Sequence, residues 1–364
     1  MKTEKDFVGI GIIGAGFART TQIPGFRACA GARVVTIASG HRENAEKVAR
    51  EFEIEHVAGD WREVVEHDDV DLVSIVTPPV THAEMTLAAL DAGKAVLCEK
   101  PMAMNAAEAD RMRERANAAG LLNLIDHELR FLPGRRRMRE LLRAGEIGEV
   151  LHAKLLFRSD SRSSPERPWN WWSDVEAGGG ALGAIGSHAL DSFRWLLDTE
   201  VSEVFCRLAT HVGERVEPAT NELRPVTTDD EANLLLSFAN NSLTNDATGT
   251  ISLSLVEPGR SEHRLELFGS KGALMIEDDG VLWRAGVGEG RWRQVDAEGS
   301  ELAAGMRDAS WSRGFTMFSR AIVAALREGR NEIEEAATFT DGYRTQLVLD
   351  AARRSDQSGR MESI

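Results

Sequence analysis

Five short apolar runs restrict what the first third of this chain can become. They occupy residues 7–13, 33–39, 71–76, 95–99 and 121–125, and each stops at glycine, proline or a polar cluster. The runs are rich in Val, Ile and Leu, too short for helices, and lack the alternation of a half-exposed strand. They therefore read as strands buried on both faces, the pattern of a parallel sheet sandwiched by helices. The stretches between them are helical. Ala45, Val48, Ala49 and Phe52 share a face, residues 83–92 run to Gly93, and a helix capped by Asn105 closes at Gly120. Strands and helices alternating at this spacing specify a doubly wound α/β sheet.

The ends of the strands carry the chemistry. The first run leads directly into Gly14-Ala15-Gly16-Phe17-Ala18-Arg19. A strand followed by such a turn suits a dinucleotide: one glycine makes the turn and the next lets a pyrophosphate approach the backbone. Gly9, Gly11 and Gly14 spell an overlapping version, rejected because its glycines lie inside the strand. In the accepted register Arg19 stands where a small residue is wanted, and Ala18 lies one position early. The second run ends in Ser39-Gly40-His41-Arg42, without the acidic residue that would bind a ribose 2′-hydroxyl and repel a 2′-phosphate. Ser39 and Arg42 favour NADP over NAD. The fourth run, Val96-Leu97-Cys98-Glu99-Lys100-Pro101, places Glu99 and Lys100 at the carboxyl end of a strand, where open α/β sheets bind ligands. Taken alone, that pair is an ordinary surface charge pair. Three βα repeats downstream of a dinucleotide turn, Lys100 becomes a candidate for proton transfer.

Beyond Ile125 a polar set, Asp126-His127-Glu128-Leu129-Arg130, follows directly on a strand. The arginine run from Arg135 to Arg139 reads as a solvated helix face. Trp169, Trp171 and Trp172 offer either packing or a platform for a sugar. The glycine-rich stretch 178–186 enters a helical pattern on which His188, Asp191 and Trp195 share one face, so Asp191 could orient the imidazole. Runs at 232–238, 248–255, 264–268 and 273–276 follow one another as strands of a mostly antiparallel sheet. Helices over 315–329 and 336–354 finish the chain.

At 364 residues the chain exceeds one core, and the expected division is a dinucleotide-binding domain over 1–126 and a substrate and oligomerisation domain over 127–364. A net charge of -15 argues against nucleic acid or an anionic membrane as partner. Three scattered cysteines give neither a disulfide framework nor metal-site spacing. No apolar run is long enough to span a bilayer, and the charged N-terminus at 1–7 lacks a signal-peptide core. The expectation is a cytoplasmic protein.

Together these motifs resemble the Gfo/Idh/MocA oxidoreductases over nearly the whole chain. The resemblance rests on GAGF at 14–17, TPPVTH at 77–82, EKP at 99–101, ELRFLP at 128–133 and GGGALGAIGSH at 178–188. LELFGSKGALMI at 265–276 and DGYRTQLVLDAARRS at 341–355 reinforce it. It implies a Rossmann domain followed by an α/β domain with a large open sheet, often used to form dimers or tetramers. It implies hydride exchange between NAD(P) and a sugar, polyol or related carbonyl compound. Lys100 resembles the family's catalytic lysine and His188 its catalytic histidine. Gly14, Gly16, Phe17, Ala18, Thr77, Pro78, His82, Glu99 and Pro101 match positions that surround the dinucleotide. Glu128, Arg130, Trp169 and Trp172 fall on the substrate side. One departure stands out: the family commonly has an aspartate four residues before the histidine, where this chain has Ala184. Asp191 and Glu128 are the available stand-ins. Relatives that act as NAD-dependent glycosidases, or a dinucleotide-binding sensor that has lost its chemistry, are the alternative readings.

Overall fold

The computed structural model describes residues 6–277 and 280–364, so most of the charged N-terminus lies outside the described residues. The chain forms two units. One comprises residues 1–132 and 300–343, the other 133–299 and 344–364. The division expected at 126/127 is thus amended: residues 127–132 and a long C-terminal segment pack with the first unit.

In the first unit six parallel strands, β1 (Val8–Ile13), β2 (Ala32–Ala38), β3 (His56–Val57), β4 (Leu72–Ile75), β5 (Ala95–Cys98) and β6 (Asn123–Ile125), lie in the order β3-β2-β1-β4-β5-β6. Every residue of β1, β4 and β5 is buried, which is why these runs show no alternation. The order reverses direction at β1, opening the crevice beyond the carboxyl ends of β1 and β4 in which such sheets hold ligands. Helices α1 (Ile23–Arg27), α2 (Arg42–Phe52), α3 (Trp61–Glu66), α4 (His82–Asp91) and α5 (Ala106–Ala119) connect the strands. Asn105 caps α5 by accepting from Glu108 N at 3.0 Å, and Gly120 ends it at φ +63°, where glycine is favoured.

The second unit opens with α6 (Pro133–Arg143) and α7 (Ser187–Leu197), which flank β7 (Val150–Arg158) in the sequence. The strands β8 (Val201–Ala209), β9 (Glu214–Val216), β10 (Leu223–Pro225), β11 (Glu231–Phe238), β12 (Thr244–Ser254), β13 (Glu262–Gly269), β14 (Gly272–Glu277), β15 (Leu282–Gly286) and β16 (Arg293–Val295) follow. All but the separate β9–β10 hairpin join β7 and β17 (Glu362–Ser363) in a nine-stranded sheet. The pairings are antiparallel except β7 with β12. Alternate residues of β11, with Val150, Ala153 and Leu155 of β7, enter a core with Leu190, Phe193 and Leu197 of α7 and Met138 and Leu142 of α6.

The arginine run of α6 is not the solvated face its composition suggests. Arg135 is buried and donates to Ser192 Oγ at 2.5 Å, and Arg139 lies over the Trp195 ring at 4.9 Å and pairs with Asp198. Only Arg137 of the run is exposed. The helices α8 (Ser310–Arg327) and α9 (Phe339–Ser358) complete the chain, α8 wholly in the first unit and α9 starting there and ending in the second. Phe315 and Phe318 of α8 are fully buried, Phe315 edge-on to Phe26 at 5.5 Å and Phe318 stacked on Phe131 at 4.4 Å. Each such ring contributes about 1.5–3 kcal/mol by burial. No helix among the described residues is long and apolar enough to cross a membrane.

Candidate active site

At the end of β1 the backbone folds tightly against its neighbours. Gly14 N donates to Ala38 O at 2.8 Å and Val76 N to Ile13 O at 2.7 Å. Gly14 has φ +109°, and a Cβ there would fall 2.1 Å from the Val76 carbonyl oxygen. Gly16 differs: it is exposed, and a Cβ on it would meet nothing within 4 Å. The first glycine makes the turn, and the second leaves its outer side open. Phe17 beside it is 36% exposed. The helix then begins as a π-helical turn over Ala18–Gln22. This resolves the irregular third position. Ala18 is fully buried and supplies the close packing, while Arg19 turns outward to Glu51 at 2.6 Å. Beyond β2, Ser39 is half-buried and Arg42 exposed, its Nε donating to Glu46 at 2.9 Å. An open glycine, a helix start and a hydroxyl-bearing second strand end fit a dinucleotide.

The loop after β4 is held from behind. Thr77 Oγ1 accepts from Thr81 Oγ1 at 2.7 Å, and Pro78 is half-buried. His82 has no exposed surface; its Nδ1 lies 3.1 Å from Pro101 O and its Nε2 2.9 Å from Thr77 O. Burial lowers its pKa, offset in part by these carbonyls. His82 therefore ties the 77–82 loop to the 99–101 loop, and its buried ring cannot touch a dinucleotide as the sequence suggested.

Beyond β5 and β6 the side chains form a buried polar cluster. Glu99 is 8% exposed and Asp126 1%. Gln22 Nε2 donates to Glu99 Oε1 and to Asp126 Oδ2, each at 2.9 Å, and Ser74 Oγ of β4 donates to Gln22 Oε1. Burial raises the Glu99 pKa, opposed by Lys100. Burial, then the charges of Glu99 and Glu128, raises the Asp126 pKa well above its ordinary value. The half-buried Lys100 follows, its backbone N donating to Glu99 Oε2 at 3.3 Å. Glu128 is buried, with its carbonyl packed on Gly314. Arg130 is also buried, and its Nη2 donates to Asp341 Oδ1 at 3.0 Å. Gln22, Ser74 and Asp126 were not anticipated as a group; isolated polar residues on separate strands leave no periodic trace.

In the second unit the glycine-rich stretch is clamped by Asp229, just before β11. Ala181 N donates to Asp229 O at 3.0 Å and Leu182 N to Asp229 Oδ2 at 2.6 Å. A Cβ on Gly180, at φ +109°, would fall 2.4 Å from Asp229 Oδ1. Burial pushes the Asp229 carboxyl up to about 6. Next comes a π-helical turn, Leu182–Gly186, which carries the buried Ala184, and then α7 with His188 half-buried and Asp191 buried. Ser192 Oγ donates to His188 O at 2.6 Å. The tryptophans are less available than the sequence suggested. Arg224 lies 3.5 Å from the Trp169 ring centroid, and the 9%-exposed Arg162 lies 4.7 Å from that of Trp172. One face of each ring is thus covered by a guanidinium. Arg215, buried, donates to Arg162 O at 2.6 Å and Ser164 O at 2.7 Å, fixing the preceding loop.

The 3-2-1-4-5-6 strand order with an open glycine at its switch point defines a dinucleotide-binding protein. Residues 8–127 match the oxidoreductase family with an NAD-binding Rossmann fold, and residues 135–275 match the GFO/IDH/MocA C-terminal domain. The chain belongs to the Gfo/Idh/MocA family of NAD-binding oxidoreductases. It is 32% identical over 280 residues to an uncharacterized oxidoreductase of Synechocystis sp., covering 77% of this chain and 74% of that one. The crystal structure of an oxidoreductase domain protein from Kribbella flavida has a TM-score of 0.87 at 30% identity, covering 99% of this chain and all (100%) of that chain. That of a levoglucosan dehydrogenase in complex with NADH and L-sorbose has a TM-score of 0.85 at 25% identity, covering 99% of both chains.

Proposed function

We propose that this protein transfers a hydride between a nicotinamide dinucleotide and a CH–OH group of a sugar or polyol. The observation that carries this reading is Lys100, at the mouth of β5 beside a buried carboxyl pair, on the same sheet edge as the open Gly14–Gly16 turn. When bound, the nicotinamide supplies the hydride acceptor or donor. The protein's own part is proton handling and charge. As a hydroxyl is oxidised, its proton leaves to a base, and negative charge grows on the oxygen. His188 is assigned the proton, and cationic Lys100 polarises the oxygen. With Ala184 in place of a carboxylate, Lys100 carries more of this work, and Asp191, one helical turn beyond His188, is its orienting partner. Ser39 and Arg42 support NADP, although Arg42 already shares its guanidinium with Glu46. The relative solved with NADH and L-sorbose supports the sugar class and NAD. Exposed Leu151 and Leu235 on the nine-stranded sheet support a homodimer or tetramer, and the acidic, cysteine-poor chain a cytoplasmic setting.

The test is a panel of sugars, polyols and lactones with NAD and NADP, followed at the nicotinamide absorbance band. Lys100→Ala and His188→Ala should each lower kcat/KM by about 100-fold or more while dinucleotide binding persists. Normal turnover by Lys100→Ala would refute the assignment, and kcat/KM at least as high with NAD as with NADP would refute the NADP preference. Ala184 favours a second reading, a dinucleotide-binding protein without hydride transfer. It would bind the cofactor and turn over nothing on the panel. A glycosidase would cleave a glycoside with no net absorbance change.

A further inference from the structure

The cluster formed by Gln22, Glu99 and Asp126 places two buried acids side by side. Their carboxyl groups interact directly, and Gln22 Nε2 donates one N–H to each. The Ser74 hydroxyl on Gln22 Oε1 fixes that orientation of the amide. In this arrangement the contact between the acids needs a proton of its own, because no neighbouring donor supplies it. Turning the amide over would aim its oxygen at both acids and demand a proton on each. Either way the pair cannot be fully ionised. Among the described residues no donor reaches the buried Oδ1 of Asp126. A charged oxygen left so would bear its desolvation unrelieved, and a proton on the Asp126 carboxyl removes that charge.

We infer that Glu99 and Asp126 share one proton, carried by Asp126, so that the pair presents a single negative charge beside Lys100. The surroundings agree. The titratable groups acting on the pair are Lys100, which follows Glu99, and Glu128 on the Asp126 side. The Cys98 thiol is a third neighbour, itself held protonated by burial. The π-helical turn and β4 contribute only neutral Gln22 and Ser74. Beyond Lys100, burial holds His82 toward its neutral form. The pair then sets one negative charge beside Lys100 in place of two. Asp126 is thereby a positioning residue: it keeps Glu99 from confronting Lys100 with a second buried charge. The consequence for Lys100 rests on the proposed function; the charge state does not.

Infrared spectroscopy of the full-length protein without substrate tests the charge state and needs no activity. At about pH 8, above the ordinary carboxyl range and above the value near 6 for Asp229, wild type should show the C=O band of a protonated carboxylic acid that shifts in heavy water. Asp126→Asn, nearly isosteric, should lose it. Isotopic labelling of aspartate carboxyl carbons in wild type should shift it, a measurement that holds if the variant fails to fold. No protonated band in wild type overturns the inference. So does a band that survives in folded Asp126→Asn, or one that ignores the aspartate label. A positive band with no turnover on any sugar would refute the proposed reaction and leave the shared proton standing.

Discussion

Replacing Gly16 by alanine should move stability and cofactor affinity in opposite directions. Gly16 lies in the first helical residues after β1, exposed, with an ordinary φ and nothing within 4 Å of an added Cβ. The protein alone has no objection to a methyl group there. Removing glycine's excess freedom in the unfolded chain should stabilise the fold by about 0.5 kcal/mol. The same methyl fills the space through which a pyrophosphate reaches the backbone, and should weaken dinucleotide binding by about 1.4–2.8 kcal/mol, ten- to hundred-fold in Kd. Gly14→Ala is the control with the opposite failure. Its φ of +109° and the 2.1 Å approach to Val76 O are intramolecular problems. Strain of about 1–3 kcal/mol and a similar overpacking cost should destabilise the fold by about 2–6 kcal/mol. Chemical denaturation gives one quantity and fluorescence titration with NADH and NADPH the other. Wild-type affinity in Gly16→Ala would refute the assignment of that open space to the cofactor.

Thiol reagents should label none of Cys29, Cys98 and Cys206 in the folded protein and all three after unfolding, since all are buried and burial pushes the Cys206 thiol up to about 12; fast native labelling would contradict that burial. Asp229 ionises at about 6 when folded against 3.8 ordinarily, so its favourable contribution is full below the lower value and lost as pH rises through the higher one. Asp229→Asn should therefore remove that fall from the pH–stability curve, and an unchanged difference between the two proteins across the window would count against it. Arg215→Ala strands the carbonyls of Arg162 and Ser164 and should cost about 3 kcal/mol, with faster proteolysis in the 160–170 loop; equal cleavage rates would show that the loop is held by other contacts.

The parallel sheet was legible because burial on both faces leaves unbroken apolar runs. Expected runs at 7–13, 33–39 and 95–99 appear as Val8–Ile13, Ala32–Ala38 and Ala95–Cys98. β3 and the β9–β10 hairpin were not, being two or three residues long and largely exposed or half-exposed. Glycine spacing located the turn at 14–16 but could not foresee the π-helical turn that buries Ala18 and sends Arg19 outward. The arginines of α6 looked solvent-facing because charge is visible in sequence, whereas Ser192, Asp198 and Trp195, which receive them, lie on another helix or just past its end. For the same reason the helix expected at 315–329 gave no sign of which core its apolar face enters. His82 was read as a cofactor contact from its motif, while its position behind the loops depends on carbonyls that no side-chain pattern encodes.

The return of residues 300–343 to the first unit has a consequence for how the protein is made. Phe26, Phe131 and the backbone of Glu128 are synthesised early, yet Phe315, Phe318 and Gly314, which cover them, come from α8. A nascent chain that has completed all six strands of the parallel sheet still displays this apolar patch to the ribosome surface and to chaperones. It stays exposed through translation of the whole second-unit sheet as far as β16. The nucleotide-binding half is translated ahead of the second-unit sheet and is among the last parts to close.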